Sequence, residues 1–96
     1  MSDGNGCVTV RLHGALRHEA GTRDIALPGD IGTVGDALRR LGEQYGERAS
    51  HMIFDRNGNV WRSLILLVNE EPAKLGPETQ LKGGDVISIL LPLAGG

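Results

Sequence analysis

The chain has 96 residues, a net charge of -2 and 23% charged side chains, with one Phe, one Trp and one Tyr. A chain of this length forms one domain around one core. Without a basic excess or aromatic surface the composition argues against a nucleic-acid-binding protein, and no apolar run is long enough to cross a membrane.

The first quarter of the chain predicts two strands. Residues 1–6 are polar and glycine-rich, so we expect a flexible leader. Apolar and polar side chains alternate over residues 7–13, which is the period of a half-buried strand, and a second strand is predicted over residues 23–27. Residues 14–22 are expected to be a linker that joins the two strands as antiparallel neighbours.

A helix is predicted to begin after Thr33. This residue type is a favourable N-cap, and Asp36 is a weaker relative of the capping-box acid. Gly46 is a natural helix stop. One apolar stripe recurs at helical spacing and is expected to pack on a sheet; its members are Val34, Ala37, Leu38, Leu41 and Tyr45.

The second half of the chain predicts further strands and turns. Residues 52–54 fit a short helix or a short strand, and Asn57-Gly58 predicts a turn. The apolar run 64–68 is expected to be a central strand with both faces at least partly covered, followed by a turn at 69–72. A last strand over 86–91 is expected to be central as well. This order predicts an α+β fold for a single domain of residues 1–96, with one mixed sheet of four to five strands on one main helix.

Several motifs of known chemistry are incomplete in this chain. Asp55-Arg56-Asn57-Gly58-Asn59 resembles the opening of a calcium loop, but Val60 and Leu66 occupy two of its required positions, so a hairpin turn is favoured. Cys7 is the only cysteine, which excludes an internal disulfide and fits a reducing cytoplasm. The histidines lack metal-ligand spacing, and no nucleotide-binding loop is present. These absences predict a substrate or carrier without a metal or bound cofactor rather than an enzyme.

The chemically suggestive segment is the carboxyl end, where Leu93-Ala94-Gly95-Gly96 follows Pro92 and the last strand. Glycines have no Cβ, so this backbone can enter a narrow channel of another protein. The Gly96 carboxylate is ionised at neutral pH and needs activation before it can react. Coupling to ATP would give an acyl-adenylate, and a sulfur donor could then displace AMP to leave a thiocarboxylate.

Three segments carry a resemblance to a known family: Leu81-Lys82-Gly83-Gly84-Asp85-Val86, the end Pro92-Leu93-Ala94-Gly95-Gly96, and the strand that ends in Val68-Asn69-Glu70. The sequence resembles the ubiquitin-like sulfur carriers over most of its length. That family includes the small subunit of molybdopterin synthase, the thiamine-pathway carrier and a carrier for cysteine biosynthesis. The resemblance implies a β-grasp fold.

The resemblance also implies roles for the extended tail, residues 92–96. Gly96 would carry the thiocarboxylate, Gly95 would permit close passage, and Pro92, Leu93 and Ala94 would form the partner-binding lead. An E1-like adenylyltransferase, using ATP and magnesium, would bind the tail. A rhodanese or a cysteine desulfurase would supply the sulfur, and an acceptor enzyme would receive it.

Three functions remain open within this resemblance. Residues 55–61 and Val68-Asn69 are more similar to the cysteine-biosynthesis type, which favours a transient carrier. The alternatives are a small subunit bound to the large subunit of molybdopterin synthase and a ubiquitin-like modifier of lysines. An interaction module without tail chemistry is the remaining, non-carrier alternative.

The last strand also predicts a docking surface. Alternation places Val86, Ser88 and Leu90 on one face, and Ile87, Ile89 and Leu91 on the other. Since one helix covers only one face of a sheet, an apolar patch is expected to stay exposed on the uncovered face. We expect the activating enzyme to dock there.

Overall fold

The computed structural model describes residues 7–27 and 31–91 of the chain. The predicted leader, residues 1–6, and the predicted tail, residues 92–96, lie outside the described residues. The elements are β1 (Val8–Leu12), α1 (Gly14–Ala20), β2 (Asp24–Leu27), α2 (Val34–Tyr45), α3 (Glu47–Ile53), β3 (Ile65–Val68), β4 (Glu71–Pro72), a 3-10 turn (Gly76–Glu78) and β5 (Val86–Leu90).

Five strands form one mixed sheet in the order β2-β1-β5-β3-β4. The first and last strands, β1 and β5, run parallel to each other, and all other neighbours are antiparallel. The prediction that the last strand is central is therefore confirmed. The sheet and the helices share one core, which confirms the predicted α+β architecture.

Alternation along the strands separates a buried side of the sheet from the opposite side. Val10 pairs with Ile87 and Leu12 pairs with Ile89, and all four side chains are fully buried. Each buried aliphatic side chain stabilises the fold by about 1.5–3 kcal/mol. The helices complete this core with Leu16, Val34, Ala37, Leu38, Leu41, Ala49 and Ile53.

The main helix, α2, begins and ends as its sequence predicts. The Thr33 hydroxyl accepts a hydrogen bond from the Asp36 backbone N–H at 3.2 Å, as expected of an N-cap. The Asp36 carboxylate binds Arg39 one turn further on. Gly46 ends the helix with φ of 92°, and glycine adopts a positive φ readily because it has no Cβ.

Two short helices differ from the sequence expectations. The predicted linker contains α1, whose Leu16 is fully buried and whose end is closed by Gly21 in the left-handed conformation. One buried residue in seven gives no periodic signal, which explains why a linker was expected. In the ambiguous segment, Met52 and Ile53 belong to α3, whereas Phe54 forms an isolated bridge with Val60.

The apolar run 64–68 is covered more completely on one face than on the other. β3 has a neighbouring strand on each side, but Ile65 is 47% exposed. Leu66, Leu67 and Val68 are half-buried rather than buried. The reason is that the helices whose side chains share the core with the sheet lie on one side of it, so the second face of this apolar run stays accessible.

Candidate functional site on the open face of the sheet

The strand register assembles a surface on the side of the sheet opposite the core, which we call the open face. Ser88 lies at its centre, between Arg11 on β1 and Leu67 on β3. Ile65 pairs with Leu90 on the same side. The open face consists of Thr9, Arg11, Ile65, Leu67, Val86, Ser88 and Leu90.

This open face combines apolar side chains with a shallow depression. Ile65 is one of three large hydrophobic residues in the described chain that are substantially exposed, and Leu67, Val86 and Leu90 are half-buried. The depression has a volume of about 460 Å³; its lining residues are Arg11, His13, Leu67, Asn69, Glu70, Val86, Ser88 and Leu90. The predicted separation of the two faces of the last strand is confirmed, and apolar side chains of its outer face remain accessible.

A hydrogen-bond network holds the end of the open face where β5 begins. The Asn69 carboxamide donates to the Asp85 carboxylate and accepts from the Val86 backbone N–H, each at 3.0 Å. Asp85 is only 6% exposed and also accepts from the Lys82 N–H at 3.0 Å. The network thus joins two of the segments that carry the family resemblance. It fixes the register of the strand that leads to the tail.

Charged groups cluster beside the centre of the open face, where Arg11 of β1 pairs in register with Asp24 of β2. Arg11 Nε donates to the Asp24 carboxylate at 3.0 Å, and Arg23 donates to it at 3.4 Å. The hydrogen bond from Arg11 is the largest cause that lowers the pKa of Asp24 below 3.8, with a further lowering by Arg23 and partial opposition from desolvation. Two guanidinium groups and one carboxylate leave one positive charge here.

The open face also contains the base of the predicted tail. Because Ile65 pairs with Leu90, the last strand leaves the sheet beside the start of β3. Leu91 is half-buried against the core and is the final described residue. The predicted site residues Pro92, Leu93, Ala94, Gly95 and Gly96 lie outside the described residues, so their roles stay predictions.

The motifs set aside in the sequence have structural explanations. The Asp55 carboxylate accepts hydrogen bonds from the backbone N–H groups of Asn57 and Asn59, at 2.9 and 3.0 Å. Gly58 has φ of 83°, and these features confirm the predicted turn. Over residues 7–27 and 31–91 no group of three His, Cys, Asp or Glu side chains is arranged to hold a metal ion. Among the helices of the same two ranges, none is sufficiently long and apolar to span a membrane.

Sequence reasoning found only part of this site. It separated Val86, Ser88 and Leu90 from the other face of the last strand without deciding which face is uncovered, and it did not predict their neighbours Arg11 and Leu67. The alternation within β1 already placed Arg11 opposite the core, so a signal for that residue was present. Leu67 gave none, because an uninterrupted apolar run does not show which of its faces is covered.

The strand order and the helices that share the core with one side of the sheet define a ubiquitin-like protein with the β-grasp fold. Residues 10–96 match the model of the ThiS family. The chain therefore belongs to the ThiS family and is a ubiquitin-like sulfur carrier by family.

Solved structures agree with this assignment. Small archaeal modifier protein 1 from Methanosarcina acetivorans is 32% identical, with a TM-score of 0.83, over 97% of this chain and 100% of that one. SAMP1 from Haloferax volcanii is 28% identical, with a TM-score of 0.82, over 95% of this chain and 100% of that one.

A chain of the Amycolatopsis orientalis BexX/CysO complex shares the fold. It is 24% identical, with a TM-score of 0.72, over 93% of this chain and 99% of that one. Comparison with curated protein sequences found no match.

Proposed function

We propose that this protein is a sulfur carrier whose Gly96 carboxylate is converted to a thiocarboxylate. The observation that carries the proposal is the match to the ThiS family over residues 10–96, which includes the Gly-Gly segment. The carboxylate would attack the α-phosphorus of ATP, giving an acyl-adenylate and pyrophosphate. The terminal sulfur of a persulfide on the donor would then add to the acyl carbon and release AMP, and a thiol would reduce the resulting acyl disulfide, leaving the thiocarboxylate and a disulfide on the donor.

The position of Leu91 supports delivery of Gly96 to an enzyme that lies against the open face. Five residues separate Leu91 from the end of Gly96, and an extended chain of that length reaches at most about 18 Å. An enzyme that binds Gly96 in a closed site must therefore approach the end of β5 closely. The exposed side chain of Ile65 and the half-buried side chain of Leu90 lie at this end, and they are the proposed apolar contacts.

The proposed reaction assigns the catalysis to partners. An E1-like adenylyltransferase would bind ATP and magnesium, and a rhodanese or a cysteine desulfurase would supply the sulfur. A separate acceptor enzyme would consume the thiocarboxylate, so that the carrier acts as a protein cosubstrate and binds no cofactor itself. We also propose a cytoplasmic location, since a thiocarboxylate and the exposed Cys7 thiol persist under reducing conditions.

A second candidate function is modification of lysines through an isopeptide bond from Gly96. It is favoured by the 32% identity to a protein named a small archaeal modifier. Both functions share the adenylation step and diverge afterwards. A third arrangement, a stable complex with the large subunit of molybdopterin synthase, differs from both because the two subunits would copurify.

Intact-mass spectrometry tests the proposal. The protein is incubated with ATP, magnesium, an adenylyltransferase encoded by the same genome, a cysteine desulfurase with cysteine, and a thiol reductant. We expect its mass to rise by the difference between sulfur and oxygen, and we expect no rise in a matched variant that lacks Gly96. Isopeptide-linked products instead of this rise would favour the modifier. No change in mass in the wild-type protein would overturn both candidates.

A further inference from the structure

The turn between β3 and β4 contains an unusual backbone conformation at Glu70. Asn69 and Glu70 have φ values of 52° and 71°, and no other described residue except glycine has a positive φ. Asparagine adopts this left-handed region readily, but glutamate does so only at a cost in free energy. Asn-Gly is the favoured pair for such a two-residue turn. The backbone conformation of the turn therefore does not explain why residue 70 is a glutamate.

The side of the sheet on which Glu70 lies is the informative feature. Glu70 is exposed and lines the depression of the open face together with Leu67, Val86 and Ser88. Its neighbour Glu71 pairs in register with Val68, whose side chain belongs to the core side. Two adjacent carboxylates thus lie on opposite sides of the sheet, and only the one in the strained conformation lines the open face.

The charges on the open face are arranged asymmetrically. Glu70 provides a negative charge in the turn beside the start of β5, whereas Arg11 and Arg23 around Asp24 leave one positive charge on the β1 and β2 side, where Arg11 pairs in register with Ser88. Two residue steps of β5, from Val86 to Ser88, account for about 7 Å along the strand, and Glu70 and Arg11 line the same depression. A surface of complementary charge fits this face in one direction and is repelled in the reverse direction.

We propose that Glu70 is a specificity-determining contact for the adenylating enzyme, where it binds an arginine or lysine side chain of that enzyme. This inference rests on the proposed function. The enzyme is the occupant because the tail starts at the end of this face and reaches at most about 18 Å beyond Leu91. The contact orients the enzyme so that its nucleotide site lies toward the tail end.

The test compares the steady-state adenylation of three variants by the adenylyltransferase of the same genome. The rate is measured by ATP–pyrophosphate exchange. Glu70→Gln removes the charge and keeps the strained backbone. Glu70→Gly removes the charge and relieves the strain, and Glu71→Gln is the matched control on the other side of the sheet. Both Glu70 variants are expected to raise the KM for the carrier about three- to tenfold with kcat unchanged, whereas Glu71→Gln matches the wild type.

Two further measurements separate recognition from folding. Glu70→Gly is expected to raise Tm by about 2–5 °C, since it relieves the left-handed strain while it weakens recognition. The ratio of the KM of each Glu70 variant to that of the wild type is expected to fall toward 1 when the salt concentration rises from 50 mM to 500 mM. Exposed charge pairs are screened over about 10 Å at 0.1 M salt, and this distance becomes shorter at higher salt.

The outcomes distinguish this inference from the proposed function. If the wild-type protein is adenylated and Glu70→Gln has the KM of Glu71→Gln, only the role of Glu70 is overturned. A KM effect that is unchanged by salt, or that appears equally in both glutamine variants, overturns it as well. If the wild-type protein is not adenylated, the proposed function and this inference fail together.

Discussion

The most informative single perturbation of this fold is Asn69→Ala, because one carboxamide links the start of β5 to the end of β3. The substitution removes the hydrogen bond to the Asp85 carboxylate and the one from the Val86 N–H, both 3.0 Å long. These contribute about 1.5 and about 1 kcal/mol. Alanine at φ of 52° adds about 1 kcal/mol of backbone strain. Since Asn69 is exposed to water, which replaces part of the lost bonding, we expect a loss of about 2–3 kcal/mol in unfolding free energy.

Urea denaturation, followed by circular dichroism, measures this loss, and the melting temperature should fall by about 10–20 °C. Asn69→Gly separates the contributions, since glycine removes the same hydrogen bonds without the strain of a left-handed alanine. The matched control is Asn57→Ala in the exposed turn, where the carboxylate of Asp55 accepts from the backbone N–H, which alanine retains. That variant should lose less than about 0.5 kcal/mol.

The reasoning is refuted if Asn69→Ala loses no more than Asn57→Ala. It is refuted in part if Asn69→Gly restores the full stability. In that case the backbone conformation matters and the hydrogen bonds to the start of β5 do not.

Two further predictions concern the open face. Ile65→Glu, at the most exposed apolar position of that face, should raise the carrier KM for adenylation about tenfold, equivalent to about 1.4 kcal/mol. The control is Leu75→Glu, because Leu75 is 68% exposed and lies away from the open face, and this variant should leave the carrier KM unchanged. Equal increases in KM for the two variants, or unfolding of Ile65→Glu, would contradict the docking surface. Arg11→Gln should raise the pKa of Asp24 toward 3.8 in a carboxyl NMR titration, because it removes the main cause of the lowering. Since the folded pKa is the lowered one, the ion pair stabilises the fold above about pH 4 and is lost as the pH falls through the lowered pKa; an identical titration in both proteins would contradict this.

Local chemistry made several elements predictable. Thr33 and Gly46 delimit α2 because capping and helix termination depend on neighbours within one turn. The alternation of Val8, Val10 and Leu12 identified the core side of β1 because successive side chains of a strand point to opposite faces. Short elements without such signals were missed, and α1 is the clearest case.

The candidate site was predictable to a smaller extent. The apolar run in β3 could not show that Ile65 is exposed, because exposure depends on which layer covers the strand. Asn69 and Asp85 lie sixteen residues apart, and nothing in either segment predicts their hydrogen bond. Contacts of this kind require two distant segments to be placed in register.

The sequence by itself determined the α+β class, the main helix with its ends, the core side of the first strand, the two faces of the last strand, and the family resemblance that includes the Gly-Gly segment. These properties depend on periodicity and on residue types at fixed spacing. Only the tertiary structure decided that β1 and β5 pair in parallel, that Arg11 and Leu67 lie on either side of Ser88, and that Glu70 and Glu71 lie on opposite sides of the sheet. Those features arise from pairing between distant segments, which local sequence patterns do not specify.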